Sequence, residues 1–349
     1  MNKDHRLREI VAQLFNPSKR KYIFIYTPPK VGSTSLVTSL RLSLNPGYNI
    51  LHIHDDIMLS VLGNISDVTV NELIDYVARH NDVVFVIDVY RSPIERKMSE
   101  YFEKLSPYHF NNSEDSINKY NIDRIINRFN KVFRYLGTGD HYIDKYGIKD
   151  IPVFDPVKGY TLQKIGNVQY VKLRLLDSDR WSSILSEIMC RDVVVVRDYE
   201  TSKKSLSDLY KLFKDNYKLP INYYREIEGC KYMNFYYTAS ERESYLNKYR
   251  SNLSPETTGY SQSEYDLYMR ICIENQYYID RQINHYLDNG CDCNGCTSKR
   301  RDNYKKVKNG EPMDCIIHVE KVLHKVIRRI KKRSVKMDEK MSKKFNLMG

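Results

Sequence analysis

Five short apolar runs, bounded by turn residues and separated by helix-length stretches, constrain this chain more than any other feature. They are KYIFIYT (21–27), YNILHIH (48–54), DVVFVIDVY (82–90), VQYVKLRLL (168–176) and RDVVVVRDY (191–199). Several are apolar on both faces instead of alternating, as strands are when helices cover both sides of a parallel sheet. Their alternation with helix-length segments up to about residue 215 predicts βαβ units. The expected fold class is therefore α/β, a parallel sheet flanked by helices.

A polar, Asn-rich insertion over about 106–160 separates the third and fourth runs, and NIDRIINRFNKVFRYL is its clearest helix. After residue 215 the character changes. SEYDLYMRICIENQYYIDRQINHYL reads as a long helix, CDCNGC follows, and a basic helical tail begins near His318. The expected organisation is an N-terminal helix over 1–20, a principal domain over 21–290 and a Cys cluster with a helical extension over 291–349. At 349 residues the chain is long enough for one large α/β domain with additions.

The first run passes directly into TPPKVGSTSLVTSL, where Lys30, Ser33, Thr34, Ser35 and Thr38 crowd around Gly32. A strand that delivers its chain into a helix N-terminus presents unpaired N–H groups and a partial positive charge, a setting that binds phosphate or sulfate. Lys30 adds a full charge and the hydroxyls add donors. The plain alternative is an ordinary N-capped helix start, because Ser and Thr cap helices anyway. The nucleoside-triphosphatase pattern G-x-x-x-x-G-K-[ST] is absent, since no Gly-Lys dipeptide occurs in the chain.

The stretch Pro29, Lys30, Val31, Gly32, Ser33, Thr34 resembles the 5′-phosphosulfate loop of sulfotransferases, P-K-x-G-(S/T)-(S/T). A second stretch, VFVIDVYRSPIERKMSEY, is similar to the 3′-phosphate signature of that family, with Arg91, Pro93 and Ser99 in its spacing. Glu95, Arg96 and Tyr101 look like the carbohydrate branch. LSPETTGYSQSEYDLYMRICIENQYY is similar to the C-terminal segment of uronyl and heparan-type 2-O-sulfotransferases. The resemblance spans about residues 20–285 and is specific in the two short stretches. It implies a P-loop-like α/β fold and 3′-phosphoadenosine 5′-phosphosulfate (PAPS) as donor. It puts Pro29, Lys30, Val31, Gly32, Ser33, Thr34 and Ser35 at the 5′ end of the donor and Arg91 and Ser99 at its 3′-phosphate. The Gly-rich C-terminal loop of small-molecule sulfotransferases is absent, which favours a glycan hydroxyl over a steroid or phenol as acceptor.

Sulfonyl transfer needs in-line positioning, a stabilised leaving group and a base on the incoming hydroxyl. Lys30 suits the leaving group. The second run ends in LHIHDD, where His52 and His54 share one face because strand side chains alternate. The resemblance puts a catalytic base on such a His-x-His; His54, nearer the carboxyl edge, is the first choice and His52 the second. Glu100 and Asp55 stand in reserve. Two other readings remain open: a P-loop-type kinase with Asp88 on magnesium, and an inactive sulfotransferase-fold binding protein.

A net charge of +12 points to anionic partners without choosing among them. No stretch approaches the roughly 20 apolar residues that span a bilayer, and the N-terminus lacks a signal peptide's apolar core. The expectation is a soluble cytoplasmic protein. Of the seven Cys, Cys291, Cys293 and Cys296 are candidate ligands of a structural zinc, with His285, Cys315 or His318 as a fourth, and reduced thiols or a local disulfide are the alternative readings. The basic tail reads first as a solvated helix face and second as a surface for membrane or nucleic acid.

Overall fold

The computed structural model describes residues 3–265 except 45–46, 64–66, 82, 106–108, 111–113, 134–138 and 197–204. The chain opens with α1 (Lys3–Leu14), β1 (Lys21–Tyr26), α2 (Ser33–Leu44), β2 (Tyr48–Ile53), α3 (Asp56–Gly63), α4 (Val70–His80) and β3 (Val83–Tyr90). It continues through α5 (Pro93–Glu103), α6 (Glu114–Ile117), α7 (Ile122–Val132) and the single turn α8 (His141–Asp144) to β4 (Tyr160–Ile165) and β5 (Val168–Arg174). A 3-10 segment (Leu175–Arg180) leads into α9 (Trp181–Met189). Then come α10 (Ser207–Asn216), β6 (Leu219–Pro220), α11 (Ile221–Glu228), α12 (Lys231–Tyr236), α13 (Ala239–Arg250) and β7 (Leu253–Ser254).

Among the described residues the central sheet has the order β2-β1-β3-β5-β4. The pairs β1–β2, β1–β3 and β3–β5 are parallel, and β4 joins β5 antiparallel at one edge. The protein is thus α/β with a mostly parallel sheet. Side chains divide by parity, as a pleated strand requires. Ile23, Ile25, Phe85, Ile87, Val171 and Leu173 pack toward α2 and α9 with Trp181. Tyr22, Phe24, Tyr26, Val84, Val86 and Tyr170 pack toward α1, α3 and α4. Both faces are covered, which is why several of the runs are apolar on both faces. A third cluster, rich in aromatics, joins α5, α7 and α10 to α13 beside the sheet.

Two expectations are corrected. The edge strand β4 falls at the end of the expected helical insertion, where YTLQKI alternates too weakly to announce a strand, with burial reaching only Thr161. And the run at 191–199 is no sheet strand over its described part: the sheet ends at β4, and residues 192–196 carry no strand pairing. The backbone there is satisfied by serines instead. The N–H of Val193 donates to Ser186 Oγ (2.9 Å), of Val194 to Ser43 Oγ (3.1 Å), of Val195 to Ser182 Oγ (3.0 Å) and of Val196 to Ser39 Oγ (2.9 Å). The acceptors alternate between α9 and α2. Four residues of helix advance about 6 Å and two residues of extended chain about 6.6 Å, so serines spaced i, i+4 on two flanking helices can zip a strand-like segment between them.

Cys291, Cys293 and Cys296, the long helix after Ser263 beyond its first residues, and the basic tail lie outside the described residues. Among the described residues no helix is long and apolar enough to cross a membrane, and no group of three or more His, Cys, Asp or Glu side chains could hold a metal.

Candidate functional site

The site is built at the carboxyl edge of three adjacent parallel strands. β1 lies between β2 and β3, so the turn after β1 is flanked by the ends of both neighbours. In that turn Lys30 has φ +65° and Gly32 has φ +88°. A Cβ on Gly32 would stand 2.9 Å from Leu175 Cδ1 and 3.1 Å from Trp181 Cη2. Trp181 is itself tethered, its Nε1–H donating to Arg174 O at 3.1 Å. Gly32 is therefore fixed by both backbone conformation and packing. Lys30 holds a left-handed conformation that costs a non-glycine residue about 1 kcal/mol, strain of the kind kept at ligand sites. Val31 is fully buried in the α2 face of the core, so only its backbone can meet a ligand. Ser33, first residue of α2, is 5% exposed, whereas Pro29, Lys30, Thr34 and Ser35 are partly exposed.

Arg91 follows β3 and reaches across to this turn, its Nη1 donating to Lys30 O at 2.8 Å. It also hydrogen-bonds the Tyr210 hydroxyl from α10. Both partners are neutral. Burial lowers the Arg91 pKa from its ordinary value, with Tyr210 and Glu95 opposing the shift. Glu95 is already engaged by Tyr245 OH (2.7 Å), Tyr249 OH (2.9 Å) and Lys248 (3.1 Å). A half-buried guanidinium with neutral hydrogen-bond partners is a natural counterpart for an added anion. Pro93 starts α5, its fixed φ suited to the first helical position. Ser99 lies on that helix and is 3% exposed.

One turn beyond Ser99, Glu103 pairs with Lys30 at 3.0 Å from Nζ. The pair is open to solvent, with side-chain exposures of 17% for Lys30 and 37% for Glu103. Glu103 was missed in the sequence, although its i, i+4 relation to Ser99 on a helix was a usable signal.

From the other side, β2 brings the two histidines, their ring centroids 4.4 Å apart. His52 is buried at 6% exposure, and His54, just past the strand end, is partly exposed. His54 Nδ1 lies 2.6 Å from Thr27 O. A carbonyl only accepts, so Nδ1 carries the proton. Burial lowers the His54 pKa; the Thr27 bond, Asp55 and Glu103 raise it, and Lys30 lowers it. The ring is therefore neutral near pH 7, with Nε2 unprotonated. The influence of Glu103 and Lys30 puts this imidazole in the same electrostatic neighbourhood as the loop.

Behind the histidines lies a buried ionic cluster. Asp88 on β3 and Lys172 on β5 are register partners, and Lys172 Nζ donates to Asp88 Oδ2 at 2.6 Å and to Asp140 Oδ2. Asp88 and Lys172 are fully buried and Asp140 is 2% exposed. His141, next along, donates from Nε2 to His54 O at 2.7 Å. Thr27, His141 and Lys172 carry no local motif; only the fold brings them here.

Of the residues singled out in the sequence, Lys30, Gly32, Ser33, Thr34, Ser35 and Arg91 thus gather at one edge with His54 beside them, while His52, Val31 and Ser99 are buried around it. Comparison with protein-family models, curated proteins and solved structures yields no match.

Proposed function

We propose that the protein is a sulfotransferase of P-loop-like fold, moving a sulfonyl group from PAPS to a hydroxyl of a carbohydrate. The observation that carries this reading is the bond from Arg91 to the Lys30 carbonyl. It joins the two stretches that resemble the 5′- and 3′-phosphate elements of the family, 61 residues apart in sequence. In this reading the α2 N-terminus with Ser33, Thr34 and Ser35 receives the 5′-phosphosulfate, and Arg91 with Ser99 receives the 3′-phosphate.

Lys30 leaves Glu103 to stabilise the bridging oxygen as the sulfur–oxygen bond breaks. His54 Nε2 takes the proton of the acceptor hydroxyl as its oxygen bonds to sulfur. A neutral imidazole with a bare Nε2 suits that task. The kinase reading is weakened at its metal ligand. Asp88 Oδ2 is held by Lys172 and by the Tyr142 N–H (3.0 Å), and Oδ1 by Thr27 Oγ1 (2.6 Å).

The donor test is calorimetry. Adenosine 3′,5′-bisphosphate should bind more tightly than adenosine 5′-phosphate by about 1.5–3 kcal/mol, the worth of hydrogen bonds to a charged group. Equal affinities, or magnesium-dependent ATP binding, would remove the reading. Labelled-donor transfer across glycans, tyrosine peptides and phenols then identifies the acceptor class.

A further inference from the structure

Burying one ammonium and two carboxylates inside a sheet is costly, and apolar side chains of similar volume would serve packing as well. What the ions do here is hold two other groups. Asp88 Oδ1 accepts from Thr27 Oγ1 at 2.6 Å, which anchors the residue whose carbonyl binds His54 Nδ1. Asp88 Oδ2 accepts the Tyr142 N–H at 3.0 Å, and Asp140 Oδ1 accepts the Ile143 N–H at 2.9 Å and the Tyr236 hydroxyl at 2.8 Å. These bonds fix the turn α8, whose first residue His141 holds the His54 carbonyl at 2.7 Å. Lys172 ties both carboxylates together. The imidazole is thus gripped through its ring by Thr27 and through its backbone by His141, and both grips trace back to one ammonium.

We propose that Asp88, Lys172 and Asp140, acting through Thr27 and His141, are positioning residues that hold His54 in its Nδ1–H tautomer with Nε2 able to accept a proton. The inference rests on the reading of His54 as the base. Its readout is independent of any activity. The other charged groups facing His54 are Asp55, Glu103 and Lys30; none bonds Nδ1 in place of Thr27, so they set its charge balance and not its tautomer.

The test is nitrogen-15 spectroscopy of the histidine rings in the full chain, comparing the wild type with Thr27→Ser, Thr27→Val and His141→Phe. Thr27→Val keeps the branched shape and removes the hydroxyl that donates to Asp88 and accepts the Val89 N–H at 3.1 Å. That N–H keeps Asp88 Oδ1 at 2.6 Å, so the variant should fold where Lys172→Met would not. Wild type and Thr27→Ser should show His54 as the Nδ1–H form, and Thr27→Val and His141→Phe a mixture with the Nε2–H form. Turnover in the two disturbed variants should fall about 2- to 10-fold, the range for one lost hydrogen bond, at unchanged bisphosphate affinity. A purely structural cluster would lower the melting temperature and leave the tautomer as it was, which overturns the inference. If the tautomer shifts as stated and the wild type transfers sulfonyl to no acceptor, the positioning stands and the function falls.

Discussion

At the residue scale, the proposed function puts Lys30 and His54 at opposite ends of one transfer, so their losses should differ in kind. Lys30→Ala should weaken bisphosphate affinity along with turnover. His54→Ala should leave affinity nearly intact and lower turnover by about 10²–10⁴-fold, the range of general base catalysis. Initial rates and calorimetry on the two variants separate these outcomes, and survival of turnover in His54→Ala with collapse in His52→Ala would move the base to His52. Glu103 makes a further expectation. Because it holds Lys30 in the absence of ligand, an incoming anion displaces a like charge, and Glu103→Gln should tighten bisphosphate binding by about two- to fivefold, the worth of a solvent-exposed pair. Weaker binding would show that Glu103 helps to hold the nucleotide. Gly32 and Arg91 were legible in sequence because each stands in a short stretch with its own spacing, although Arg91 makes its contact 61 residues away. Thr27 and His141, at sequence separations of 27 and 87 from His54, stand in no such stretch and come to light only through their contacts.

At the element scale, the first three runs and the fourth read correctly as strands because burial on both faces leaves its mark in composition. The valines at 193–196 carry the same mark, yet they are buried between two helices and not between two strands. Apolarity reports burial and is silent on who satisfies the backbone. The serines were the missing signal: Ser39 and Ser43, and Ser182 and Ser186, are i, i+4 pairs on helices that flank the run. Ser39 is fully buried and Val196 is 1% exposed, so Ser39→Ala leaves a buried amide unsatisfied. The expected loss is about 1–3 kcal/mol in urea unfolding, with an unchanged slope. Ser183→Ala, on the exposed side of α9, should change stability by less than about 0.5 kcal/mol. Equal effects would mean that the rungs contribute nothing.

At the scale of the whole molecule, two buried histidines tie stability to acid. Burial pushes the pKa of His109 down to about 3 and of His141 down to about 4 from an ordinary 6.5, and His54 is lowered as well. The unfolded chain therefore binds more protons than the folded one below about pH 6.5, so stability is complete above that value and is lost as pH falls toward 4. The slope should be on the order of 1 kcal/mol per pH unit for each histidine across this window. Asp140, raised above its ordinary value chiefly by burial, works in the opposite direction. Urea titrations between pH 7 and 4.5 should show the decline, and His109→Phe should flatten it; an unchanged slope in that variant would deny His109 its part. The layered sheet and its covering helices were legible from the sequence, whereas the side cluster that α5 and α7 share with α10 to α13 was not, because its aromatics follow no single period. The serine-bonded run has one more consequence, for motion. Its odd-numbered amides are protected by α9 and its even-numbered ones by α2. Hydrogen exchange along four consecutive valines should then divide into two interleaved sets, Val193 and Val195 following the local opening of one helix and Val194 and Val196 that of the other.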